Sequence, residues 1–191
     1  MKSIMLTLRL YWFYCIYKGI KTLEIRKSMP RGFKGIVFAC VSKTNWKQDL
    51  MKIPENEREF FAQFVGKVGL KFTLNKVDKF YYNENLDYFT DINDKGLPMK
   101  TILEKSCLKD IDFVAYMNFR NGYAWHIDNL VVFDKPKELS EFYKVGYKEE
   151  WHNLLECEEK YRGVFGGKDF ERIDHQYQLT RAPQSWQFIE V

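Results

Sequence analysis

The sequence predicts a small mixed α+β domain: a β-barrel or sheet with helical insertions near residues 44–65 and 143–172. Three observations predict it. Strand-like stretches outnumber helix-like ones, and the helices fall between them irregularly. Hydrophobic residues make up 46% of the 191 and aromatic residues 17%, which is enough bulk for a real core with planar side chains to spare. No internal repeat and no low-complexity linker divides the chain, so a single domain is expected over 1–191.

In chain order, residues 3–10 are β-prone. Residues 11–18 (YWFYCIYK) are ambiguous, because aromatics favour a strand while Gly19 stops the run as it would stop a helix. Residues 21–27 (KTLEIRK) alternate, with Leu23 and Ile25 on one face and Thr22, Glu24 and Arg26 on the other, a half-buried strand. After Met29-Pro30-Arg31-Gly32, residues 35–42 read as a buried strand, and 55–65 as a helix that opens with acids. Gly66, Gly69 and the alternation that follows predict one long strand through 82, bent at a glycine. A polar loop is expected over 83–98, and a helix in two pieces over 99–117 with a division near Ser106. A strand over 122–133 should stop at Asp134 and Pro136, followed by a helical turn over 137–143. A surface helix is expected over 147–162, a loop at Gly163, Gly166 and Gly167, and strands at 176–179 and 185–191.

The net charge of +4 is mild, but its distribution is not even. Residues 1–50 hold ten lysines and arginines against Glu24 and Asp49, and the rest of the chain is net acidic. Such asymmetry fits a polyanion-facing region, the plain alternative being a solvated basic face. Aromatic richness excludes disorder, and four cysteines in 191 residues exclude a disulfide miniprotein. Cys15, Cys40, Cys107 and Cys157 form no Cys-x-x-Cys pair and read as buried free thiols, which fits a reducing cytoplasm. The apolar run 4–17 is interrupted by Arg9, lacks a cleavage site and is too short for a bilayer, so neither export nor a membrane span is expected.

Phosphate-loop, dinucleotide and nucleophile-elbow motifs are absent, so no cofactor is expected. His126, His152 and His175 lie far apart with no metal-ligand spacing, so no metal is expected. The most specific segment is Gly19-Ile20-Lys21-Thr22-Leu23-Glu24-Ile25-Arg26-Lys27. A row of Lys21, Thr22, Glu24 and Arg26 can hold a phosphate through its cations while the carboxylate reads a base amino group. The alternative is a solvent-facing strand with an ordinary Glu–Arg pair.

The run G-x-K-T-x-E-x-R, preceded by Leu6-Thr7-Leu8-Arg9 and an aromatic stretch, resembles the signature of the ASCH domain family of the PUA-like superfamily. The resemblance continues in Tyr123-Ala124-Trp125-His126-Ile127, Asp134-Lys135-Pro136-Lys137-Glu138-Leu139 and Thr180-Arg181-Ala182-Pro183-Gln184-Ser185-Trp186. The last two look like a phage and prophage subgroup. The resemblance implies a small twisted β-barrel with flanking helices and a cleft, lined by the Lys21–Arg26 strand, that binds RNA or nucleotides. Some small members are amidohydrolases of acylated cytidine that use a lysine, a threonine and a glutamate. Lys21 matches that lysine, Glu24 replaces the threonine, Leu10 replaces a frequent proline, and the distal glutamate has no match.

Further candidate contacts are Tyr11, Trp12 and Trp186 for stacking on a base, each equally suited to a core. Arg181 can pair with phosphate, and Gln184 and Ser185 with polar ligand atoms. His126 either faces the cleft or is a satisfied structural histidine. The leading expectation is binding of RNA or a modified nucleotide, with Lys21 and Arg26 on phosphate and Glu24 accepting from a base or sugar. The alternatives are hydrolysis of an acylated nucleoside such as N4-acetylcytidine through Lys21, and a phage accessory protein that grips a host protein through exposed aromatics such as Phe60, Phe61 and Phe64. One pocket shared by the Lys21–Arg26 strand and the Arg181–Trp186 turn is expected.

Overall fold

β1 (Lys2–Leu8) is buried along nearly its whole length, with Ile4, Met5 and Leu6 fully covered, which marks it as an interior strand. The computed structural model describes residues 2–83, 88–90, 97–161 and 167–191. The elements that follow are α1 (Leu10–Tyr17), β2 (Leu23–Arg26), β3 (Gly35–Val41), α2 (Trp46–Leu50), α3 (Arg58–Ala62), β4 (Val68–Leu74), β5 (Val77–Asn83) and β6 (Tyr88–Thr90). Then come α4 (Met99–Ser106), α5 (Asp110–Met117), β7 (Gly122–His126), β8 (Asp128–Lys137), β9 (Tyr143–Lys144), α6 (Tyr147–Tyr161), α7 (Gly167–Tyr177) and β10 (Trp186–Glu190). Single 3₁₀ turns lie at Glu55–Glu57 and Leu139–Glu141. Among the described residues no helix is long and apolar enough to cross a membrane.

The strands form a six-stranded sheet, ordered β8-β4-β3-β1-β10-β9, and a four-stranded one, ordered β2-β7-β5-β6. The α+β class is as expected. The strands, however, make two open sheets, and no closed barrel forms among the described residues. The chain divides into two compact units. The first comprises Met1–Leu10, Val37–Leu70 and Phe133–Val191; the second comprises Tyr11–Ile36 and Lys71–Val132.

In the first unit, β1 pairs in parallel with β3 (Ile4↔Val37 to Leu8↔Val41) and antiparallel with β10 (Lys2↔Glu190 to Leu6↔Trp186). The first and last strands of the chain are therefore neighbours. Phe61 and Phe64 are buried and only Phe60 is exposed, so two of the three rings considered for a partner protein belong to the core. In the second unit, Leu23 and Ile25 of β2, Phe80 of β5, Ala124 of β7, Ile102 of α4, and Phe113 and Met117 of α5 form one apolar cluster. Its rings meet edge to face, Phe89 and Phe113 lying 4.9 Å apart.

Several local expectations change. Residues 11–18 resolve as helix α1. The long strand expected through 82 is two strands, broken at the polar Asn75-Lys76 rather than bent at a glycine. β8 runs through Asp134 and Pro136 to Lys137; it is an edge strand, where a missing ladder N–H costs little. Residues 176–177 end helix α7 instead of opening a strand, and Gln178 makes only an isolated bridge to Tyr143. That helix was hidden behind glycines read as a loop. Gly163 and Gly166, and most of the loop expected over 83–98, lie outside the described residues. Cys15 and Cys40 are buried free thiols as expected, whereas Cys107 and Cys157 are half-buried.

Candidate nucleic-acid interface

Two polar clusters hold the residues singled out in the sequence, one in each unit. In the second unit, Gly19 ends α1 in the left-handed region (φ 70°), which a glycine adopts without a Cβ penalty. The Ile20 and Lys21 N–H groups then turn back to donate to the Cys15 carbonyl at 2.9 and 3.0 Å. Thr22 donates its N–H to the Lys105 carbonyl and accepts from the Ile127 N–H, which sets the start of β2. The Thr22 side chain is exposed.

β2 is not half-buried. All four of its residues are buried, Glu24 being 6% and Arg26 8% exposed, with Lys21 beside them at 3%. Glu24 holds both cations: its Oε2 lies 3.3 Å from Lys21 Nζ and its Oε1 2.9 Å from Arg26 Nε. Lys21 Nζ also donates to the Ser106 carbonyl at 2.9 Å and lies 5.4 Å from the centre of the Trp12 ring, within cation–π range. Buried charges persist only when paired, and here Glu24 pairs with both cations while Lys21 is also hydrogen-bonded. The Lys21 amine is thus engaged on several sides.

Around it, Trp12 and Tyr11 pack ring to ring at 5.0 Å. Burial, followed by the neighbouring Cys15 thiol, raises the Tyr11 phenol above its ordinary value. Burial pushes Cys15 up to about 11 and also raises Cys107, so both are poor thiolates. Burial raises the Tyr116 phenol, while Arg26 opposes the shift.

His126 belongs to the other side of this sheet. Directly paired residues share a face, and His126 pairs with Leu23 while Glu24 pairs with Trp125. His126 therefore lies on the Leu23–Ile25 face, opposite Glu24 and Arg26. Its Nε2 sits 2.7 Å from Asp78 Oδ2, and Asp78 is also paired to Lys76 at 3.3 Å. His126 is a histidine with a carboxylate partner.

The second cluster is a cleft of about 630 Å³ in the first unit. It lies at the carboxyl ends of the parallel strands β1 and β3, where Leu8 and Val41 are partners. Arg181 and Gln184 line it, together with Thr7, Ser42, Lys43 and Thr44; Lys21, Glu24 and Arg26 are not among its lining residues. Thr7 fixes the C-terminal turn: its Oγ1 donates to the Pro183 carbonyl at 2.6 Å and its N–H to the Ser185 carbonyl at 2.9 Å. Ser42 Oγ accepts the Thr44 N–H at 3.0 Å, which shapes the turn that carries Lys43. Gly66, at φ 82°, lies against the Lys43 stem so closely that an added Cβ would sit 2.4 Å from its Cε. Ser185 holds Thr7 through its backbone, and Trp186 is half-buried in β10, its ring 5.8 Å from that of Phe188.

Sequence reasoning missed Lys43 and the hydroxyls around it. The signal was the polar Ser42-Lys43-Thr44 step that follows a buried strand, at the strand end where ligand sites form in sheets with parallel pairs. The lining residues include two cations and no carboxylate or imidazole. Among the described residues, no group of three His, Cys, Asp or Glu side chains is placed to hold a metal ion.

The fold is similar to that of a solved ASCH protein. The ASCH protein of Zymomonas mobilis matches with a TM-score of 0.50 at 12% identity, covering 98% of this chain and 87% of the other. A tyrosine-to-phenylalanine variant of that protein matches at 0.50 and 12%, covering 100% and 91%, and a serine-to-alanine variant at 0.53 and 12%, covering 98% and 88%. Likeness at this identity establishes the fold alone. No protein-family model and no curated protein matches the sequence.

Proposed function

We propose that this protein binds RNA or a nucleotide, with phosphate held by Arg181 and Lys43 in the cleft of the first unit. The observation that carries the reading is the lining itself: two cations, several hydroxyls and an amide around about 630 Å³, with no carboxylate to neutralise them. Guanidinium and ammonium groups beside hydroxyl donors are what a phosphate requires. Lys21 and Arg26 already pair with Glu24; the reading assigns them to the architecture of β2 and gives the ligand contacts to Arg181, Lys43 and Gln184. The ASCH fold and the basic N-terminal segment support a polyanionic ligand.

The test is fluorescence anisotropy with a labelled single-stranded RNA. Arg181→Ala and Lys43→Ala should each weaken binding by roughly tenfold, the worth of one charge-assisted contact. Affinity should fall with salt at a log–log slope of about −0.7 per phosphate contacted, for two to four contacts. Variants that bind like the wild type would refute the assignment of phosphate to this cleft, and absence of binding at low salt by both this RNA and adenosine 5′-monophosphate would refute the reading.

A further inference from the structure

We infer that the cleft recognises a phosphate monoester, as on a free nucleotide or the end of a strand, rather than the phosphodiester inside one. The inference rests on the reading above and adds the class of ligand.

Charge is the first argument. Lys43 and Arg181 together present two positive charges, and no lining residue offsets them. A phosphodiester carries a single negative charge, whereas a monoester carries about −1.5 to −2 at pH 7. A single monoester phosphate balances both cations, which a single diester does not. Hydrogen bonding is the second. Ser42 Oγ accepts from the Thr44 N–H, so its own O–H proton can be donated outward. The Thr44 hydroxyl, the Gln184 amide, the ammonium and the guanidinium add further donors to the lining. A monoester offers three free oxygens to these donors, one more than a diester. Size is the third: about 630 Å³ lies within the range of sites that hold one small ligand.

The second ionisation of a monoester, near pH 6, supplies a signature that a diester lacks. The groups that face the ligand do not obscure it. They are Thr7 from β1, Lys43 after β3, Leu139 from the 3₁₀ turn and Arg181 from the C-terminal turn, and no lining residue is a carboxylate or an imidazole. Glu138, next to Leu139, is already paired to Lys67 at 2.8 Å.

Calorimetric titration of the full chain tests the inference with adenosine 5′-monophosphate, the dinucleotide ApA, and one tetranucleotide RNA with and without a 5′-phosphate. The monophosphate should bind about tenfold more tightly than ApA, one charge-assisted contact's worth. Its affinity should fall about fourfold from pH 7.5 to 5.5 as the dianion is protonated. Lys43→Ala and Arg181→Ala, checked for unchanged thermal unfolding, should erase the preference, and Arg181→Lys should keep part of it. A phosphorylated tetranucleotide that binds like the monophosphate identifies strand ends as ligands; a much weaker one identifies free nucleotides. Equal, pH-independent binding of ApA and the monophosphate overturns the inference and leaves RNA or nucleotide binding standing. Failure of every probe to bind refutes both.

Discussion

Glu24 is a carboxylate paired with two buried cations, and its removal takes that charge from both. Glu24→Gln keeps the shape and deletes the charge. It should destabilise the protein by on the order of 3–5 kcal/mol, as expected when one partner of a buried ion pair is lost. Thermal unfolding measures this, and adding Lys21→Met to the variant should recover part of the loss if the pairing is the cause. Unchanged stability would mean that the three charges are independent. The shared face of Glu24 and Arg26 was legible because strand geometry puts alternate residues on one side, with Lys21 at the strand entrance. Their burial was not, because what covers the second face of β2 comes from residues remote in sequence. Lys105 and Ser106, whose carbonyls receive the Thr22 N–H and the Lys21 ammonium, lie more than eighty positions downstream.

Elements show the same division. β7 faces β5 at Gly122, which pairs with Phe80. An added Cβ there would sit 2.5 Å from both Phe80 Cζ and Met117 Cε. The glycine is thus a packing requirement of the sheet against α5. Gly122→Ala should cost roughly 1–3 kcal/mol through overpacking, read as a lowered unfolding midpoint, whereas an unaffected midpoint would show that the ring and thioether move aside freely. Strong local signals placed elements well: α4 and α5 divide just after Ser106, and the apolar run at 35–41 is β3. Weak signals failed where partners decide. Val68–Leu74 alternates and Val77–Asn83 follows after only two residues, yet the two strands join different sheets. Helix α7 buries Ile173, but the nearby glycines outweighed its apolar spacing in a local reading.

For the chain as a whole, the pairing of β1 with β10 joins the two ends of the sequence in one sheet. Truncation after Gln184 removes β10, leaves β1 with an unpaired edge, and takes from β9 the strand it pairs with. It also removes Ser185, whose carbonyl holds the Thr7 N–H at the cleft. The truncated chain should lose cooperative unfolding and aggregate, as followed by circular dichroism and size-exclusion chromatography. A monomeric, cooperatively folded product would show that β10 is an accessory strand.

Composition and periodicity were sufficient to establish a mixed α+β chain with an aromatic core, since both depend on residues close together along the chain. The motifs around Lys21 and Arg181 pointed to the same fold that the ASCH proteins share. Tertiary structure alone decided which of those polar residues face a cavity. Burial of Glu24, the opposite-face position of His126, and the meeting of Lys43 with Arg181 all depend on strand register and on contacts across more than a hundred positions. No local pattern encodes such contacts, because the free energy that selects them is gained only when distant segments leave water together.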